Sequence, residues 1–171
     1  MILAAWALAG YLLGSIPFGI VVARLMGLGD LRQIGSGNIG ATNVLRTGSK
    51  PGAALTLIAD AGKAGAAVLL ARALVADDAA QLAGLAAFFG HCYPIWLKFR
   101  GGKGVSTFFG LLFALAWPIG LAAGATWLII AAIFRYSSLA ALVTATLTPL
   151  FMIILSQSQL LTLSIALTLL I

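Results

Sequence analysis

Long uncharged stretches alternate with short polar ones along the chain, and their lengths set the first expectation. A helix needs about 20 residues to cross the hydrocarbon of a bilayer. Residues 2–23 supply one such run, residues 51–71 a second that carries Asp60 and Lys63 within it, and residues 79–97 a third. Residues 104–134 are uncharged throughout and would form a helix of about 45 Å, against a bilayer core of about 30 Å. This run is expected to fold back near Trp117, Pro118 and Gly120, the alternative being one kinked, tilted helix. Residues 136–171 are also too long for one crossing, and Ser156-Gln157-Ser158-Gln159 divides them. The pattern predicts an all-α, polytopic integral membrane protein of seven transmembrane helices, residues 1–171 forming a single membrane-embedded domain.

Composition and charge fix the class and the orientation. Of 171 residues, 62% are hydrophobic and 8% charged, whereas a soluble domain has about 25% charged residues. The net charge of +6 does not point to nucleic acid, because the basic residues are scattered between apolar runs and form no arm or stripe. With the N-terminus outside, seven spans place Arg24, Arg32, Arg46, Lys50, Lys98, Arg100, Lys103 and Arg135 on the inner side, and Asp77 and Asp78 outside. One span over residues 104–134 would move Arg135 to the outer face and weaken that pattern. The expected topology is therefore N-terminus periplasmic and C-terminus cytoplasmic. The start has no basic region before its apolar run, so it reads as a first span and not as a cleaved signal. The last apolar run stops at Ile171 without a polar flank, which points to a trimmed chain or a disordered tail. Cys92 is the only cysteine, so no intrachain disulfide forms.

Two inner-face segments carry the candidate chemistry. The first, Gly35-Ser36-Gly37-Asn38-Ile39-Gly40-Ala41-Thr42-Asn43-Val44-Leu45-Arg46, has the parts of an anion site. Its glycines let backbone amides approach an oxyanion, Ser36, Asn38, Thr42 and Asn43 offer neutral donors, and a helix starting near Ile39 would aim its positive end at the ligand. Arg46 could clamp a phosphate. A plain connecting loop is the competing reading. The second segment holds His91-Cys92-Tyr93-Pro94 and then Lys98-Phe99-Arg100-Gly101-Gly102-Lys103-Gly104-Val105-Ser106-Thr107. Exposed amides, a lysine and hydroxyls at the entry to an apolar helix suit phosphate, although the Walker A spacing is absent. Lys98, Arg100 and Lys103 also suit plain positive-inside anchors. His91 is either an interior hydrogen-bonded residue or a site residue. One His and one Cys make no metal centre. Asp60 and Lys63 share one helix face, as a structural ion pair or as a substrate contact. Four acidic residues in all leave the chemistry to positioning and oxyanion stabilisation. The H-x-x-x-x-D pair of acyl-CoA-dependent glycerolipid acyltransferases is absent, since Trp96 stands five residues after His91.

Gly14-Ser15-Ile16-Pro17-Phe18-Gly19, Gly35 to Asn43, Asp60-Ala61-Gly62-Lys63, Gly90-His91 through Val105, and Arg135-Tyr136-Ser137-Ser138 together closely resemble the bacterial PlsY family, in its order and over nearly the whole chain. The resemblance implies a seven-helix enzyme of the bacterial inner membrane, its site facing the cytoplasm. The implied reaction moves an acyl group from acyl phosphate, and not from acyl-CoA, to the 1-hydroxyl of glycerol-3-phosphate, giving lysophosphatidic acid and phosphate in the first step of phospholipid synthesis. It implies catalytic roles for His91, Ser36 and Asn43, and substrate or phosphate binding by Asn38, Thr42, Arg46, Lys98, Gly101, Gly102, Lys103, Gly104 and Ser138. No metal or cofactor is implied. The expected partners are glycerol-3-phosphate, acyl phosphate and membrane lipid, with no nucleic acid, and a monomer is compatible with them. The family's terminal His-Arg-x-Asn-Ile segment has no counterpart before Ile171. A substrate phosphate oxygen is the expected proton acceptor, with His91 orienting. The competing function is a small permease for a phosphorylated solute, disfavoured because the polar groups sit at one face instead of the midplane.

Overall fold

The computed structural model describes residues 1–171 and contains helices, turns and loops only. Helices α1 (Ile2–Gly14) and α2 (Phe18–Leu25) come from one apolar run. The expected first span over residues 2–23 is found as one candidate crossing, Ile2–Leu25, but it is built from two helices. Pro17 lacks an amide hydrogen and disfavours the helical conformation of Ile16, so the helix breaks between them.

After a polar loop with one 3-10 turn at Leu31–Gln33 come the short α3 (Ala41–Leu45) and the long α4 (Lys50–Leu74). Ser49 caps α4 by accepting the Gly52 amide, with Pro51 in its first turn. Helix α5 spans Asp77–Cys92, shorter than the expected 79–97 because the chain leaves the helix at Tyr93 and turns at Ile95–Leu97. The 104–134 run divides at Ala116 into α6 (Val105–Leu115) and α7 (Trp117–Phe134), and Phe113 packs against Gly120 across the break. Helices α8 (Ser137–Ile154) and α9 (Leu161–Leu170) follow, parted near residues 156–159 as the polar break predicts.

Four segments are long and apolar enough to cross a membrane: Ile2–Leu25, Lys50–Leu74, Trp117–Phe134 and Ser137–Ile154. Two shorter apolar helices, Val105–Leu115 and Ser158–Leu170, accompany them.

Helix α5 lies at the centre, against α1, α4, α6 and α9, while α7 packs on α8 and α8 on α9. Small residues permit that density. Cβ atoms added at Gly10 and Gly14 of α1 would collide with the backbone of Ala83 and Ala87 of α5, and one at Gly110 would collide with Ala61. This is the close backbone crossing that membrane helices use for van der Waals contact. Phe88, Phe108, Leu111, Leu112, Ile119 and Met152 fill the remaining interior, and Leu8, Ile58, Leu69, Leu128, Ile133 and Ile154 point outward, as lipid-facing residues do.

The two ends of the bundle are distinct. A cavity of about 540 Å³ brings together Arg72, Asp77, Gln81, Leu115, Gln157 and Gln159 at one end. Arg72 there donates to the Ala114 and Leu115 carbonyls at 2.7 and 3.1 Å, satisfying the C-terminal turn of α6, and pairs with Asp77 at 2.7 Å.

Candidate active site

The other end carries both polar loops. In the first, Asn43 is buried and acts as a hub. Its Nδ2 donates to the Leu31 carbonyl at 2.8 Å, and its Oδ1 accepts the Ser36 amide at 3.1 Å, the Ser36 hydroxyl at 3.4 Å and Arg46 Nη1 at 3.5 Å. Positive φ at Gly35 and Gly37, 54° and 68°, turns the chain between Asn43 and the loop tip, a backbone shape that glycine adopts without a Cβ penalty. Asn38 folds back to accept the Gly40 amide at 2.8 Å. The helix expected near Ile39 begins at Ala41 and is only five residues long. Gly19 of α2 seats this loop, since a Cβ there would strike the Ile39 carbonyl.

The second loop is held by the break between α1 and α2. Tyr11 donates its hydroxyl hydrogen to the Tyr93 carbonyl at 2.9 Å and accepts the Ile95 amide at 3.1 Å, while Trp96 Nε1 donates to Ser15 Oγ at 2.7 Å. Downstream, the Gly101 and Gly102 amides donate to the Cys92 and His91 carbonyls, each at 3.0 Å. Those two amides are thereby spent, which leaves the amides from Lys103 onward, at the open N-terminus of α6, as the ones a ligand could use. Gly102 lies against the His91 ring and Gly104, with φ 77°, against Phe88 and Cys92, so a Cβ at either would collide.

The loops meet in a cavity of about 300 Å³ lined by Arg32, Ser36, Gly37, Asn38, Ile39, Arg100 and Gly101. Of the expected site residues, Ser36, Asn38 and Gly101 line it directly, and Asn43 and Arg46 stand behind Ser36. His91 and Gly102 lie behind Gly101. Thr42, Lys98 and Lys103 are exposed beside the loops, and Gly104 begins α6. Ser138, in the first turn of α8, is exposed and lines neither cavity. Arg32 and Arg100 are wall residues: the sequence reading placed Arg100 in the phosphate-cradle segment without naming it as a site residue and treated Arg32 only as a positive-inside anchor. Gly101 and Gly102 after Arg100 were an available signal, whereas Arg32, between Leu31 and Gln33, offered none. The site offers two guanidinium groups, a hydroxyl and an amide around a small opening, a donor set matched to phosphate.

The glycerol-3-phosphate acyltransferase family model matches residues 4–171. The chain belongs to that family. Curated glycerol-3-phosphate acyltransferases are similar throughout: that of Dinoroseobacter shibae is 65% identical over 164 residues, covering 96% of this chain and 81% of the relative. That of Ruegeria pomeroyi is 60% identical over 171 residues, covering 100% and 84%. Among solved structures, the glycerol 3-phosphate form of PlsY (YgiH), an integral membrane glycerol 3-phosphate acyltransferase, superimposes with a TM-score of 0.92 at 36% identity, covering 99% of this chain and 86% of that one. Its lysophosphatidic acid form gives 0.91 at 35% identity, with the same coverage. This acyltransferase is accordingly a membrane protein, its polar loops gathered at one end of a helical bundle.

Proposed function

We propose that this chain transfers an acyl group from acyl phosphate to the 1-hydroxyl of glycerol-3-phosphate, releasing lysophosphatidic acid and phosphate. One observation carries the reading: the two polar loops converge on a cavity walled by Arg32 and Arg100 with Ser36 and Asn38 between them. Both substrates are phosphate anions, and a fixed array of cationic and neutral donors lowers the entropy cost of bringing hydroxyl to carbonyl. It also stabilises the charge that gathers on the carbonyl oxygen. Inorganic phosphate is a competent leaving group, so the donor itself supplies the driving force and no protein nucleophile is needed. The attacking hydroxyl's proton passes to a substrate phosphate oxygen. Ser36, Asn43 and His91 act in the reaction, and Asn38, Thr42, Arg46, Lys98, Lys103 and the Gly104 amide bind the substrates, to which we add Arg32 and Arg100, whereas Gly101 and Gly102, their amides already bonded, shape the loop and Ser138 stands outside the cavity.

The orientation that suits this chemistry is seven crossings, N-terminus periplasmic and C-terminus cytoplasmic, in a bacterial inner membrane. The end of α4, the start of α5, the end of α6 and the segment after α8 share one cavity, which supports a reversal of direction at each break, the one at Ala116 included. The basic residues of both site loops then face the cytoplasm, where glycerol-3-phosphate is available.

The test is donor choice. With purified protein in lipid, phosphate release from a long-chain acyl phosphate is expected only when glycerol-3-phosphate is present, and acyl-CoA is expected to give no lysophosphatidic acid. Equal or better turnover with acyl-CoA would remove the acyl phosphate assignment.

A further inference from the structure

Behind the second loop lies one buried cluster, in which Asp60 and Lys63 beside His91 have been given no task. Asp60 and Lys63 of α4 and His91 of α5 meet at 1%, 4% and 4% exposure. Lys63 Nζ donates to the Ile16 carbonyl at 2.7 Å and lies 2.9 Å from His91 Nδ1. Asp60 Oδ1 stands 2.8 Å from Nζ, off the axis of a good hydrogen bond, so it serves as counter-charge more than as acceptor. It is farther from the imidazole, 3.5 Å from Nδ1. The Phe18 ring closes the remaining side, 5.8 Å from Nζ to its centroid.

The Ile16 carbonyl is available because the helix breaks there. The Ile20 and Val21 amides turn to the Pro17 carbonyl, and the Ile16 carbonyl, which accepts the Phe18 amide at 3.1 Å, keeps its second lone pair for Lys63. The break that holds the second loop through Tyr11 and Ser15 therefore also positions the ammonium against the histidine.

We propose that Lys63 is a positioning residue that fixes His91 as its neutral Nε2–H tautomer, so that His91 presents a hydrogen-bond donor, and no base, to an anionic oxygen at the second loop. An ammonium has three donors and no acceptor, so the nitrogen it meets, Nδ1, must carry the lone pair. The single ring proton then sits on Nε2. The alternative proton arrangement, a neutral amine accepting from an imidazolium, is disfavoured twice. A free ammonium is a weaker acid than a free imidazolium by about four orders of magnitude, and the Asp60 charge is nearer the lysine than the ring. Nε2 is the ring atom that faces Gly102, where any added Cβ would strike it, so the donor is aimed at the glycine loop behind the cavity wall. The tautomer of a histidine is set by the bond its other nitrogen makes, and here that bond comes from a helix with no other part in the site.

The tautomer can be read apart from catalysis, because His91 is the only histidine; only the kinetic part of the test rests on the acyltransferase reading. In the full chain in lipid nanodiscs, labelled with ¹⁵N-histidine, the nitrogen spectrum at neutral pH should show a proton-bearing Nε2 and a hydrogen-bonded, unprotonated Nδ1. Lys63→Met should abolish this state, because the Asp60 carboxylate left 3.5 Å away draws a proton onto Nδ1. It should also lower kcat at least tenfold, as a wrong histidine tautomer does, with KM for glycerol-3-phosphate changed less than about threefold, since the cavity wall is untouched. Asp60→Asn/Lys63→Met removes both charges and covers the case in which Asp60, left alone, prevents folding. With neither charge beside the ring, it should show an averaged pair of tautomers. A proton on Nδ1 in the unsubstituted protein, or an unchanged tautomer in either variant, would overturn the proposal. A preserved kcat in a folded variant with an altered tautomer would overturn the role while leaving the geometry standing.

Discussion

Asn43 fixes more of the first loop than any charged residue does. Its amide reaches in four directions, to Leu31, to both polar atoms of Ser36, and to Arg46, and the side chain is 2% exposed. No carboxylate could replace it, because the Leu31 carbonyl requires a donor and the Ser36 amide an acceptor. Asn43→Ala leaves the Leu31 carbonyl only the longer bond from the Ile34 amide at 3.3 Å, strips the Ser36 amide of its acceptor and frees the loop, a loss of about 2 kcal/mol. The expected result is a lower thermal midpoint in detergent together with a raised KM for glycerol-3-phosphate. An unchanged midpoint would mean that water replaces the lost bonds and that the hub is dispensable. Arg32 and Arg100 are different in kind: they are exposed, they cap nothing, and their geometry matters only to a ligand.

At the level of helices, the break at Ser15–Pro17 links packing to chemistry. Gly10 and Gly14 bring α1 onto Ala83 and Ala87 of α5, and from that close crossing Tyr11 and Ser15 reach the second loop. Gly14→Val would force the two backbones apart, costing about 1–3 kcal/mol by overpacking. Because the same helix end holds Tyr93 to Trp96, kcat should fall along with the thermal midpoint. Loss of stability with full kcat would show that the loop is held by other contacts.

Most of this was legible from run length and breakers, since Pro118 and Gly120 beside Trp117 and the polar break at Ser156 mark where helices end. Two features were not. The first span reads as unbroken because Pro17 sits in an apolar run, and its local backbone effect leaves no mark on hydropathy. The service of Lys63 to His91 lies across 28 residues of chain, a pairing that spacing on one helix cannot reveal. Asp60 and Lys63 were legible as an ion pair, but their third partner was not.

For the whole molecule, the two ends divide the labour. The end containing Arg72 and Asp77 ties the α4–α5 turn to the last turn of α6, whereas the opposite end gathers the two polar loops. The acyl chain of a lipid substrate can lie against the outward-facing Leu and Ile side chains while its phosphate reaches the loops, so a one-sided site suits a reaction between a lipid and a water-soluble anion. It does not suit carriage of a solute, which needs a site reachable from both faces. The most direct test uses the purified protein in sealed vesicles supplied with long-chain acyl phosphate and labelled glycerol-3-phosphate, following product and uptake together. The account predicts that label appears in lysophosphatidic acid, in step with phosphate release, and that none accumulates in the vesicle lumen. Saturable accumulation of unmodified glycerol-3-phosphate by folded protein, with no lysophosphatidic acid formed, would contradict it.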